Sequence, residues 1–154
     1  MRIEDEIQQA RFSNEYHKVH VNLLYTAAWA GLRISQVLKP FGISLQQFNI
    51  LRILRGRQQA PASIKELTER MIDKSSNASR LVDKLIAKNL VEKKQCDADN
   101  RRVEVAITQQ GLDLVNQTSM LVENEITAMF GSLSETEAII LNELFDKARG
   151  GGWV

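Results

Sequence analysis

The chain has 154 residues, 44% of them hydrophobic and 25% charged, with a net charge of +1. That is enough sequence for one domain with its own core, and no apolar run approaches the roughly 18 residues of a membrane span. A charge so close to zero excludes nucleic-acid binding through bulk basicity, and a single cysteine, Cys96, excludes an internal disulfide.

The N-terminus, MRIEDEIQQARF, carries acids where a signal peptide would carry a basic patch and then an apolar run, so a cytoplasmic location is expected. The chain up to Lys39 reads as a long helical region. Val21, Leu24, Tyr25, Ala27, Ala28, Trp29 and Leu32 form a broad apolar stripe at helical spacing. Pro40 and Gly42 end it. Ser44 and Gln47 have the spacing of a capping box, which opens a short helix with Phe48, Ile50, Leu51 and Leu54 on its buried side. Ser63 and Glu66 repeat the signal before a helix of about two turns, with Ile64, Leu67 and Met71 inward. A brief break follows at Ile72 to Lys74, and Asp73 or Ser75 is the expected cap of the next helix.

That helix, SSNASRLVDKLIAKNL, is the cleanest in the chain. Ala78, Leu81, Val82, Leu85 and Ile86 make one apolar stripe, and Ser76, Arg80, Lys84 and Ala87 project from the opposite side. Asn77 and Ser79 lie at the margins. Small hydrogen-bonding residues followed by Arg and Lys suit a helix whose first turns enter a groove, where amides and hydroxyls meet phosphates or base edges. The order is that of a helix-turn-helix. Two short extended runs, LVEKKQC and VEVAIT, then flank DADNRR and read as a β-hairpin. A hairpin directly after a helix-turn-helix is the winged-helix arrangement. Its tip would carry arginine into a minor groove or along the phosphates beside the preceding helix, with a neighbouring aspartate fixing the guanidinium's direction.

Charge is distributed unevenly. Between Lys74 and Arg102 eight basic residues face four acids, whereas between Leu112 and Arg149 two face seven. A basic centre and an acidic C-terminal segment fit two jobs in one chain. The segment after Thr108 reads as a long helix to about Phe130, and Ser134 with Glu137 caps another. Leu112, Val115, Leu121, Val122, Ile126, Met129, Phe130, Ile139, Ile140, Leu144 and Phe145 are too many apolar residues for so short a tail to bury alone. A second copy of the chain is the expected partner. The sequence holds no Gly-rich phosphate loop, nucleophile motif, metal-ligand spacing or acid–base carboxylate pair. Neither catalysis nor a cofactor is expected, and His17 and His20 read as surface or interface residues rather than a metal site.

These segments resemble the MarR family of bacterial winged-helix transcriptional regulators. DNRRVEVAITQQG is similar to that family's wing signature, matched at Asp99, Arg101, Ile107, Thr108 and Gly111. SRLVDKLIAKNLVEK is similar to its recognition helix, matched at Ser79, Arg80, Asp83, Leu85 and Leu90, with Asn89 where a glycine is common. Asn also tolerates the left-handed C-cap conformation. SLQQFNIL and LSETEAIILNELFDK resemble the preceding and the last helices.

The resemblance implies a mainly α fold: a winged helix-turn-helix with a two-stranded wing, plus N- and C-terminal helices forming a dimerisation hub. The expected divisions are an N-terminal arm at 1–40, the DNA-binding domain at 41–110, C-terminal dimerisation helices at 111–149 and a frayed tail at 150–154. The expected function is sequence-specific binding of a pseudo-palindromic DNA duplex by a homodimer that regulates transcription, in the manner of a repressor. Ser75, Ser76, Asn77, Ser79, Arg80 and Lys84 would enter the major groove. Lys65, Lys74, Lys93, Lys94 and Arg102 would hold phosphates, and Asp99 with Arg101 would form the wing tip. The alternative is a winged helix used only for protein contacts. The family often releases DNA on binding a small phenolic or lipophilic effector; Tyr25, Trp29 and Arg33, at i, i+4 and i+8, are the candidate lining, with core packing as the plainer reading. Cys96 reads as an ordinary hairpin residue.

Overall fold

The computed structural model describes residues 1–58, 60–96 and 99–150, with the backbone alone at 96 and 99–101. The element order is α1 (Ile3–Glu6), α2 (Glu15–Leu38), a 3-10 turn (Lys39–Phe41), α3 (Leu45–Gly56), β1 (Ala62–Ser63), α4 (Ile64–Arg70), α5 (Ala78–Ala87), β2 (Val91–Cys96), β3 (Asp99–Ile107), α6 (Gln109–Phe130) and α7 (Glu135–Ala148). It is a mainly helical winged helix-turn-helix flanked by long N- and C-terminal helices.

The three expected capping boxes close. Ser44 with Gln47, Ser63 with Glu66 and Ser134 with Glu137 all form complete capping boxes, each side chain accepting from the other residue's backbone N–H. The N-terminal third departs from one continuous helix. It breaks between α1 and α2, where Gln8 has a positive φ of 53° and Asn14 caps α2 by accepting from the His17 N–H at 2.9 Å. His17 in turn accepts from the Ser13 N–H through Nδ1 at 3.3 Å and packs edge-on to Phe12.

The core lies where α3 passes under α4, α5 and the sheet. Phe48, Ile50, Leu51, Ile53 and Leu54 of α3 are all buried, together with Leu67, Met71, Val82 and Leu85. Removing this many aliphatic side chains from water stabilises the lobe by about 1.5–3 kcal/mol each before ordering costs. The sheet is antiparallel in the order β1-β3-β2. Val105 sits opposite Ala62 on one side and Lys93 on the other. The wing therefore has a third strand that the hairpin pattern did not announce. β1 is two residues long, and its Ser63 is also the N-cap of α4.

α2 and α6 pack together and form the long side of the molecule, and α7 follows after a short turn. Here the burial logic is incomplete within one chain. No residue of α7 is buried. Val19, Leu24 and Leu32 of α2, Met120 and Ile126 of α6, and Ile139, Ile140 and Leu144 of α7 are all exposed. No helix among the described residues is long and apolar enough to cross a membrane.

Candidate nucleic-acid interface

α5 is the element that a groove would meet. Its apolar side anchors it, with Ala78, Val82 and Leu85 at 3% exposure or less. Ser79, Arg80, Asp83, Lys84 and Ala87 are exposed on the other side. The helix begins later than the sequence pattern indicated. Its N-cap is Asn77, which accepts from the Arg80 N–H at 3.0 Å, and neither Asp73 nor Ser75 fills that role. Asp73 instead closes the turn before it, accepting from the Ser75 N–H at 2.9 Å and the Ser75 hydroxyl at 2.6 Å. Those bonds hold the Asp73 carboxyl below its ordinary value of 3.8. Ser75 and Ser76 thus belong to the connector rather than to α5, and Asn77 has one side-chain oxygen committed to the cap.

The C-terminal end of α5 is set by a Schellman turn. Asn89 has a positive φ of 58°, its N–H donates to the Ile86 carbonyl at 2.9 Å, and the Leu90 N–H donates to the Leu85 carbonyl at 3.0 Å. The chain then enters the wing. Lys93 reaches back to α5, 3.3 Å from Asp83, and Lys94 lies 3.5 Å from Glu92. Lys65 lies 3.9 Å from Glu69, and the Lys74 ammonium donates to the Glu69 carbonyl. Arg102 is exposed. All three ion pairs are more than half exposed and contribute only about 0–1 kcal/mol each. A stronger competitor for the ammonium displaces the carboxylate at little cost. The side chains of Asp99, Arg101 and Cys96, and with them the wing-tip pairing, lie outside the described residues, as do residues 151–154 of the tail.

Tyr25, Trp29 and Arg33 do share one face of α2, and each is spoken for. The Tyr25 hydroxyl donates to Glu6 at 2.6 Å, which ties α1 down and raises the phenol above its ordinary value of 10.0. The Arg33 guanidinium lies 5.5 Å from the Trp29 ring centroid and its Nε donates to Glu125 of α6 at 2.5 Å. Trp29 meets Phe130 edge-on at 6.3 Å. Two open clefts lie elsewhere. One of ≈ 400 Å³ runs between Phe41, Lys88, Leu90 and Leu114; one of ≈ 550 Å³ runs along Leu32, Gln36, Lys39 and Ser44.

Three residues that position the interface were not visible as such in the sequence. Lys88 donates to the Gly42 carbonyl and, at 3.4 Å, to Gln47, joining the end of α5 to the start of α3. Asn49 accepts from the Ile72 N–H at 3.0 Å. Arg55 of α3 donates through one nitrogen to Ser119 at 2.9 Å, Asn116 at 3.2 Å and the Val115 carbonyl at 3.4 Å, all on α6. Its acceptors lie 60 or more residues along the chain, beyond the reach of any local pattern.

Residues 43–103, from the end of the 3-10 turn through most of β3, match the sequence model of the MarR family. The likeness to the MarR family is one of sequence over that stretch. The transcriptional repressor MprA of Escherichia coli K12 is 24% identical over 113 residues, which span 73% of this chain and 64% of that repressor's length. Solved structures extend the likeness of fold beyond residues 43–103. A mutant Escherichia coli MarR complexed with operator DNA superposes with a TM-score of 0.79 at 22% identity, covering 90% of this chain and 99% of that one. The organohalide-sensing regulator RdhR-CbdbA1625, in its 2,4-dichlorophenol-bound form, gives 0.84 at 18% identity, covering 94% and 87%.

Proposed function

We propose that the protein is a transcriptional regulator that binds a specific DNA duplex as a homodimer, as a repressor rather than an enzyme. The observation that carries the reading is α5. It is an amphipathic helix whose buried stripe fixes it to the lobe and whose outer face offers Ser79, Arg80 and Lys84 to solvent. Arg80, exposed on that face, is the residue proposed to read base edges, where a guanidinium can bond guanine bidentately. Ser75, Ser76 and Asn77 approach at the entry of the helix. Lys65, Lys74, Lys93, Lys94 and Arg102 hold phosphates after exchanging their weak internal partners for them. Arg101, oriented by Asp99, reaches the neighbouring minor groove.

Dimerisation follows from the apolar faces of α2, α6 and α7. Exposed aliphatic and aromatic side chains recur along all three helices, and a second copy supplies an identical apolar surface about a two-fold axis. The hub then comprises residues 1–40 and 111–149, and residues 41–110 bind DNA. Two copies of α5 related by a two-fold read a pseudo-palindrome with half-sites about one helical turn apart. The repressor reading is supported by the MprA likeness, and a phenolic or lipophilic effector by the dichlorophenol-bound relative. Tyr25, Trp29 and Arg33 are the residues proposed to face such an effector, on the joint between α2 and α6.

Selection of bound duplexes from a random pool tests the reading. It predicts enrichment of one two-fold symmetric site bound by two chains. A pool that stays random at low salt, with no duplex preferred, contradicts it.

A further inference from the structure

The connector between α4 and α5, residues 71–77, is held by backbone N–H bonds at Met71, Ile72, Ser75 and Ser76, yet it leaves one large aliphatic side chain in water. Met71 is 2% exposed and its neighbour Ile72 is 76% exposed. The backbone around them is fixed. The Met71 N–H donates to the Leu67 carbonyl at 3.0 Å and the Ser76 N–H to the Asp73 carbonyl at 3.2 Å. Asp73 binds both the N–H and the hydroxyl of Ser75. The Ile72 N–H is itself held at 3.0 Å by Asn49 from α3. An aliphatic residue whose backbone is already ordered loses little further entropy when it makes a contact.

The immediate neighbours narrow what that contact is. Asp73, Lys74 and Ser75 are exposed and polar, so Ile72 does not belong to a continuous apolar face of the kind a protein partner buries. It lies at the entry of the helix that meets the groove. On the floor of a major groove the apolar group that a base edge presents is the C5-methyl of thymine. We propose that Ile72 reads a thymine methyl in each half-site and that Asn49 is the positioning residue that aims it. The inference rests on the DNA-binding reading above. It adds a base preference that none of the charged or hydroxyl residues of the interface supplies.

Replacing thymine by deoxyuridine, one position at a time in the selected duplex, removes only the methyl. Fluorescence anisotropy then compares wild type, Ile72→Ala and Asn49→Ala on each duplex. One thymine in each half-site should weaken wild-type binding about fourfold when its methyl is lost, the factor expected from burying a single methyl group. Ile72→Ala should bind the thymine and uracil duplexes equally, and Asn49→Ala should narrow the difference. Ile72 is exposed, so its variant should keep the wild-type melting temperature, read by circular dichroism. Specific wild-type binding with no uracil position coupled to Ile72 overturns the inference and leaves the DNA-binding reading intact. Absence of specific binding to every duplex overturns both.

Discussion

The carbonyl oxygen of Leu90 lies 2.0 Å from the point that a β-carbon on Gly111 would occupy. The same carbonyl accepts the Thr108 N–H at 3.1 Å. The Thr108 hydroxyl donates to Asn89 at 2.7 Å and accepts from the Gly111 N–H at 3.0 Å. The end of the α5 turn and the start of α6 therefore touch through backbone, and a side chain at 111 separates them. Gly111→Ala should destabilise the protein by about 1–3 kcal/mol, the cost of overpacking a fixed backbone contact. Urea unfolding measures it, and an unchanged midpoint would show that the joint yields freely.

Arg55 joins α3 to α6 through Ser119, Asn116 and the Val115 carbonyl. It is the polar fastening between the lobe that carries α5 and the long helix behind it. Arg55→Ala should lower stability by about 1–2 kcal/mol, as expected for charge-assisted hydrogen bonds that are only partly buried. Arg55→Lys should recover only part of the loss, because its shorter stem does not carry the ammonium to where the single Arg55 nitrogen meets all three acceptors. Equal stability of all three proteins would mean that water replaces the fastening at no cost.

The capping boxes make stability depend on pH. Glu66 and Glu137 accept from the backbone N–H and hydroxyl of Ser63 and Ser134, which holds both carboxyls below their ordinary value of 4.5. Folded carboxyls with lowered pKa values contribute stability that is fully present above 4.5. It is lost as pH falls below that value and through the folded ones. Melting temperature should fall on acidification from about pH 6 to about pH 3. The fall should be shallower in the Glu66→Gln/Glu137→Gln variant, which takes up no proton at either cap. Parallel curves for the two proteins would remove the caps from the account.

Lys93 lies 3.3 Å from Asp83, with both side chains more than half exposed. Lys93→Ala should leave stability within about 0.5 kcal/mol of wild type. It should weaken binding to all duplexes alike and reduce the salt slope by about one unit. A loss confined to the selected duplex would instead make Lys93 a base-reading residue.

Much of this was legible in the sequence, for identifiable reasons. Ser44/Gln47, Ser63/Glu66 and Ser134/Glu137 announce helix starts because both halves of each box sit within four residues. The α5 stripe is legible because Ala78, Val82 and Leu85 are buried and Leu81 and Ile86 partly so, while the opposite face is exposed. Thr108 at the start of α6 and Gly111 against Leu90 account physically for the end of the wing signature, and Asn89 in its left-handed turn for the end of the helix before it.

The remainder depended on contacts that sequence spacing does not carry. The Asn77 cap was hidden because Asp73, Ser75 and Asn77 are all capping residues within one short stretch, and only the geometry chooses among them. β1 was hidden by its two-residue length. The break before α2 depends on Gln8 adopting a positive φ, which no glycine marked. Asn49, Arg55 and Lys88 act across 23 to 64 residues of chain.

The most direct measurement is fluorescence anisotropy of the full chain on the duplex immediately upstream of its own coding sequence, against a random duplex, at several salt concentrations. The comparison is wild type with Arg80→Ala. Wild type should bind tightly and salt-dependently with a preference for the upstream duplex, and Arg80→Ala should lose about 1–3 kcal/mol of that preference, through one base-pair position per half-site. Wild-type and Arg80→Ala proteins that bind both duplexes equally and weakly would contradict the DNA-binding reading.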